Sequence, residues 1–206
     1  MITPLSNLAE KSAYRNTLNG MAAIYEIPVK RITGEAATLG DYRGKVLLVV
    51  NVASKCGLTP QYDALEKVYG SYKDAGLVVC GFPANDFGAQ EPGTEAEIMT
   101  FCQTTFSVDF PMFSKVAVTG PAIHPLYKAL IEEKPQASGD SRPGMRENLN
   151  GFLASRGETT NPEPGILWNF EKFLIGRDGK VIARFSPEIV PDDPAITSAI
   201  EAALKS

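Results

Sequence analysis

The stretch "NVASKCGLTPQY", residues 51–62, carries Cys56 out of an apolar run and onto a turn, three residues ahead of Thr59. Thr59 reads as a helix N-cap and Pro60 as the first helical residue. A thiol so placed faces unpaired backbone amides and the positive end of the helix dipole, and both favour the thiolate. Lys55 adds positive charge beside it. The thiolate is the attacking form in cysteine chemistry, so the location suits a redox or covalent reaction. The competing reading is a small buried hydrophobe that ends a strand.

The neighbours narrow that chemistry. Dithiol exchange of the Cys-x-x-Cys kind needs a second cysteine at the position held by Thr59, and a copper carrier would need another cysteine near Pro60; neither is present. Three cysteines at irregular spacing and one histidine suit neither a disulfide framework nor a zinc site, so no metal is expected. His124 opens the "HPLY" segment and reads as a structural cap rather than a base. What remains is a one-cysteine attacking site that needs no cofactor.

The elements that must position this thiol follow from hydrophobic period. Residues 45–53 form an almost unbroken β-branched and Leu run, the pattern of a central strand covered on both faces. Leu65, Val68, Tyr69 and Tyr72 then recur at helical spacing until Gly76. "GLVVCGF" is a second buried strand with Cys80 in the core, and Thr94 and Glu97 open a second helix in capping-box spacing. "IYEIPVKRI" alternates and suggests a short edge strand or hairpin arm, Pro28 arguing against a central position, "FPMFSKVAV" a short strand or extended segment, and "HPLYKALIEE" a helix with Pro125 in its first turn. Residues 134–165 lose periodicity and read as a long loop or insertion, in which Asp140, Arg142, Arg146 and Arg156 belong to a solvated surface. "FEKFLIGRDGKVIARFS" predicts a hairpin turning at Asp178-Gly179. Asp193-Pro194 starts a last helix carrying Ile196, Ile200 and Leu204.

With 206 residues, 44% of them hydrophobic and 21% charged, the chain suits one domain with a sizeable core, over 21–206. Residues 1–20 lack the apolar centre of a secretory signal and read as a poorly ordered extension. A net charge of −4 disfavours nucleic acid as a partner, and the longest apolar run is too short for a membrane span. Cysteine usage points to a reducing compartment, the cytoplasm. The oligomeric state is left open.

Taken in order, "NVASKCGLTPQY", "GFPANDFGAQEPGTEAEI", "FPMFSK", "HPLY" and "ILWNFEKFLIGRDGKVIARFSP" resemble the glutathione peroxidase family, in its cysteine-containing, non-selenium branch, over about residues 22–205. The resemblance implies a thioredoxin-like α/β fold, a central mixed sheet flanked by helices, with 134–165 as a surface insertion. It implies a thiol-dependent peroxidase that reduces hydrogen peroxide and organic hydroperoxides in the response to oxidative stress, with electrons from thioredoxin or glutathione. It also implies that Cys56 is the peroxidatic residue within a tetrad completed by Gln90, Trp168 and Asn169. Those residue types make chemical sense: amide and indole N–H groups do not titrate near neutrality and can hold a thiolate without neutralising it. They also stabilise the negative charge that develops on the departing peroxide oxygen. The resulting sulfenic acid must then be rescued by a thiol. A peroxide sensor, passing the oxidation of Cys56 to a partner protein, starts from the same attack and is the alternative.

Two departures from the family pattern bear on mechanism. Relatives usually read "FPCNQFG" where this chain has "FPANDFG", so Ala84 removes a thiol and Asp86 replaces an amide; Asp86 is expected to face solvent. Plant and yeast-like members carry a resolving cysteine in the helix that here holds Cys102, but one residue later, an offset of about 100° around a helix. Ile98, Phe101, Cys102 and Thr105 share helical spacing, so Cys102 is either a resolving thiol or an inward core residue.

Overall fold

The computed structural model describes residues 24–138, 144–158 and 160–206. The N-terminal extension, Asp140 and Arg142 lie outside them. Two short strands, β1 (Val29–Lys30) and β2 (Ala36–Ala37), pair antiparallel ahead of the main sheet. The apolar run becomes β3 (Val46–Val52), in which all seven residues are buried. It pairs in parallel with β4 (Leu77–Pro83) and antiparallel with β5 (Lys172–Ile175), and β6 (Val181–Phe185) completes the order β4-β3-β5-β6. A strand with two hydrogen-bonded neighbours and two covered faces can be apolar throughout, which is why this run lacks alternation.

The helices follow their start signals. Helix α1 (Gln61–Tyr72) buries Tyr62, Leu65 and Val68. Helix α2 (Glu95–Phe106) carries the expected capping box, Thr94 Oγ1 accepting from Glu97 N–H at 3.3 Å while Thr94 N–H donates to Glu97 Oε2 at 2.7 Å. Helix α3 (Pro125–Glu133) is capped by His124, whose Nδ1 accepts the Leu126 N–H at 3.2 Å. No helix among the described residues is long and apolar enough to cross a membrane.

Two segments differ from the sequence reading: residues 24–26 of "IYEIPVKRI" are helical rather than strand, and 134–165 hold a helix. Residues 134–165 are not wholly loop, for they contain helix α4 (Met145–Ser155). Met145, Leu149, Phe152 and Leu153 recur at helical spacing, although Asn148, Asn150 and Gly151 lower the propensity of the helix; Leu153 is fully packed and Phe152 is exposed. Tertiary bonds hold it in place: Asn150 Nδ2 donates to Asn161 O at 3.0 Å, and Asn161 N–H donates back to Asn150 Oδ1 at 2.8 Å. Of the two forms expected for "FPMFSK" the structure has the extended one, with isolated bridges along the edge of β4, from Gly81 N–H to Pro111 O and from Phe113 N–H to Gly81 O. The approach is close: a Cβ at Gly81 would meet Met112 Sδ and displace that side chain.

Downstream of the hairpin, α5 (Pro194–Lys205) starts where Asp193 Oδ1 accepts the Ala195 N–H, and it buries Ile196 and Ile200. The insertion is fastened to the sheet by Arg184, a β6 side chain with 0% exposure. Its Nε donates to Glu171 Oε1 at 2.5 Å, and its terminal nitrogens donate to the carbonyls of Lys134, Pro135, Pro164 and Gly165. Both ends of the insertion therefore meet on one buried guanidinium.

Candidate active site

Sheet register brings three distant segments to one edge. Val52 pairs with Pro83, so β3 and β4 end level, while antiparallel β5 begins where β3 ends, with Val50 opposite Lys172. The chain beyond β3 leads to Cys56, that beyond β4 to Gln90, and that preceding β5 holds Trp168 and Asn169. This is the carboxyl edge of the parallel pair, where open α/β sheets place their sites.

Cys56 is 8% exposed, and its Sγ accepts the Leu58 N–H at 3.3 Å. The positive end of an amide thus points at the sulfur, as the sequence leads one to expect for a turn of this kind. Thr59 does something other than cap the helix. The first residue of α1 is Gln61, preceded by Pro60 at the cap, and the Thr59 hydroxyl is turned back into the cysteine turn. It accepts the Cys56 N–H at 3.0 Å and donates to Ala53 O at 2.8 Å. A turn of the tighter kind precedes α1 and takes the cap's place, with Tyr62 N–H bonded to Thr59 O.

Gln90 is reached through a tight loop in which Gly88 and Ala89 have φ of 61° and 50°. Its carbonyl accepts the Lys55 N–H at 3.0 Å, which fastens the Gln90 strap to the residue next to the thiol. Its side-chain Oε1 accepts from Asn169 Nδ2 at 3.0 Å. Trp168 is nearly buried and lies against Phe87, their ring centroids 5.2 Å apart. Gln90 and Asn169 are thus in direct contact, Gln90 is tied to the Cys56 loop, and Trp168 precedes Asn169 in the same segment.

Sequence reasoning passes over Asn51, the one polar residue in the apolar run of β3, and that interruption is its signal. Asn51 is fully buried, its Nδ2 donates to Trp168 O at 3.1 Å, and its carbonyl accepts the Phe170 N–H at 2.6 Å. Phe170 has φ 67°, a conformation costly for a bulky side chain, and the flanking bonds hold it. Glu91 is missed as well. It is 1% exposed, its carboxyl accepts from Ser54 Oγ at 3.1 Å, and burial raises its pKa above the ordinary carboxyl value. Glu91, Ser54, Lys55, Pro92, Ile98 and Phe101 line an open cleft of about 380 Å³ beside the Cys56 loop.

Asp86 does not face solvent as expected. It is half-buried, and its Oδ2 accepts the Val118 N–H at 3.0 Å, which anchors the loop after β4. Cys102 sits on the inner side of α2 with 1% exposure, and burial pushes its thiol up to about 11. Cys80 is fully buried in β4, its thiol held far above the ordinary range by desolvation. The Tyr62 hydroxyl beside Cys102 opposes the rise of that thiol in part.

A mixed, helix-flanked sheet with a strand-to-helix turn at the carboxyl edge of its parallel pair defines the class: a thioredoxin-like α/β fold. A solved thiol:disulfide interchange protein of the thioredoxin family from Chlorobium tepidum has this fold, with a TM-score of 0.54 at 16% identity over 86% of this chain and 92% of that one. Residues 24–131 match the family model for glutathione peroxidase. The thioredoxin/glutathione peroxidase BtuE of Escherichia coli is 51% identical over 85% of this chain and 94% of its own length. The solved apo form of Trgpx is 36% identical, covers 89% of this chain and 97% of its own, and superposes with a TM-score of 0.64. The chain belongs to the glutathione peroxidase family, and it is a peroxidase among the oxidoreductases.

Proposed function

We propose that Cys56 is the peroxidatic nucleophile and that Gln90, Trp168 and Asn169 hold its thiolate and the departing oxygen. The thiolate attacks one peroxide oxygen and the O–O bond breaks. With one proton taken up, the products are Cys56 sulfenic acid and water, or an alcohol from an organic hydroperoxide. Two external thiol equivalents then return Cys56 to the thiol and release water. The observation that carries this reading is the bond from Asn169 Nδ2 to Gln90 Oε1. It occupies the acceptor end of the Gln90 amide, so the NH₂ end is the one left to donate. Donors already fixed in place stabilise developing charge with little reorganisation.

Thioredoxin or glutathione is the proposed reductant, in keeping with the name of the Escherichia coli relative. The proposed setting is the oxidative stress response in a reducing compartment, the cytoplasm. The test measures peroxide turnover with each reductant supplied separately, for the wild type and for Cys56→Ser. A serine at this turn is a far weaker nucleophile, so turnover should vanish while the circular dichroism spectrum is kept. A folded Cys56→Ser protein that retains a large fraction of turnover rejects the assignment. Trp168→Phe keeps the ring and deletes the N–H donor. It should slow Cys56 oxidation by about 10-fold or more, with a smaller effect on melting temperature.

A further inference from the structure

Glu91 is a buried acid for which the reaction above has no use. Glutamate is almost never fully buried unless paired, and Glu91 forms no ion pair among the described residues. Lys115 stands near enough to influence it electrostatically, yet its Nζ donates to Gly93 O at 2.6 Å instead. Lys55 is exposed on the cleft rim. An apolar side chain of similar volume would fill this place at lower desolvation cost, which calls for a reason specific to this location.

The reason lies in what Glu91 fastens. Its carboxyl accepts from Ser54 Oγ, two residues before the nucleophile, and its backbone N–H donates to Asn85 Oδ1 at 2.8 Å. The residue before it, Gln90, is bonded through its backbone carbonyl to Lys55 and through its side chain to Asn169. Ser54-Lys55 and Gln90-Glu91 are thus joined residue by residue, once by backbone and once by side chains. The strap so held follows Ala89, a non-glycine residue at φ 50° that other contacts must keep in place.

We propose that Glu91 is a positioning residue: latched by Ser54 on the cysteine loop, it fixes the strap so that the Gln90 amide keeps the orientation that oxidation of Cys56 requires. The proposal rests on Cys56 and Gln90 having the roles given above. Glu91 acts through Gln90 and touches neither sulfur nor peroxide. Its raised pKa is consistent with a carboxyl that serves by shape and hydrogen bonding, since a carboxylic acid and an amide can both accept from Ser54.

The test uses the full chain and reads single-turnover oxidation of Cys56 by hydrogen peroxide, followed through Trp168, the chain's one tryptophan. Glu91→Ala and Ser54→Ala should each lower the second-order rate of oxidation by about 10- to 100-fold, the scale of a reacting group displaced by a fraction of an ångström to one ångström. The double variant should be no slower than the slower single variant, because both remove one latch. Glu91→Gln should restore the rate to within about 3-fold of wild type. Reduction of the pre-formed sulfenic acid by a small thiol should be unchanged in all of them. Wild-type oxidation in Glu91→Ala overturns the proposal, as do losses that multiply in the double variant or fall equally on the reductive step. If Glu91→Ala does not fold, Ser54→Ala decides the matter, and wild-type oxidation in that variant overturns the proposal. Turnover retained by Cys56→Ser would instead reject the parent reading, so the two failures are distinguishable.

Discussion

Thr59 closes the turn that presents Cys56: one hydroxyl accepts the cysteine's own N–H at 3.0 Å and donates to Ala53 O at 2.8 Å. Thr59→Val keeps the side-chain shape and removes both bonds, leaving a buried N–H and a buried carbonyl unpartnered. A loss of about 1–3 kcal/mol in stability is expected, together with slower oxidation of Cys56, and Thr59→Ser should recover most of both. Denaturant melts and single-turnover oxidation check this together. A stable, fully active Thr59→Val protein would show that the turn holds without its hydroxyl.

Arg184 offers a test of the scaffold. Truncation to Ala would strand the Glu171 carboxyl and four backbone carbonyls in the interior, at a cost of about 3–5 kcal/mol. Arg184→Lys should recover little, since an ammonium group cannot reproduce the planar fork that reaches these acceptors. Equilibrium urea unfolding measures both, and a change below about 1 kcal/mol for Arg184→Ala would contradict the clamp.

The buried thiols fix an alkaline limit. An unfolded cysteine releases its proton near its ordinary value of 9, whereas folded Cys102 keeps it up to about 11. Above pH 9 the unfolded state binds fewer protons than the folded one. This contribution to stability is therefore complete below pH 9 and is lost as pH rises to about 11, by about 2–3 kcal/mol. Cys80, shifted in the same direction, adds to the fall. Unfolding midpoints between pH 8 and 11 should decline less steeply in Cys102→Ala than in the wild type, and parallel slopes would refute this.

The same environment sets the expected fate of Cys102 during turnover. A thiol held at about 11 is ionised to only a few parts in ten thousand near pH 7.5, and at 1% exposure it cannot meet Cys56 without rearrangement of α2. We expect an external thiol to reduce Cys56 directly and Cys102→Ser to keep most turnover. Peptide mapping after one equivalent of peroxide distinguishes the two routes. A linked Cys56–Cys102 peptide as the main product would make α2 a mobile element and this enzyme a two-cysteine one.

The strands and most helix starts were legible because each rests on a local signal: the unbroken apolar run of β3, the Thr94–Glu97 box, Pro125 and Pro194 behind their caps, and the Asp178-Gly179 turn. Helix α4 was not: Met145, Leu149, Phe152 and Leu153 do recur at helical spacing, but Asn and Gly weaken the signal, and the bonds to the Asn161 and Gly165 carbonyls that help hold the helix lie outside it. Thr59 misled for a related reason. Its type and spacing announce a cap, and only the folded turn shows that its hydroxyl serves the backbone behind it. At the site, the cysteine could be picked out from its position, whereas Gln90, Trp168 and Asn169 required family resemblance, since each alone looks like an ordinary loop or core residue. Asn51, Ser54 and Glu91 lie within the quoted motifs, but the partners they bond, Trp168 for Asn51 and each other for Ser54 and Glu91, are distant in sequence.

The guanidinium of Arg184 also has an evolutionary and engineering meaning. Because Lys134–Pro135 and Pro164–Gly165 are gathered at one point, the chain between them is an excursion that leaves and rejoins the sheet there, held further by Ser138 against β6 and by Leu153 in the core. Lengthening such an excursion twofold adds only about 0.6 kcal/mol of closure entropy. Changes of length confined to the surface part of that excursion should therefore cost the sheet little, while the edge that bears Cys56 stays unaltered.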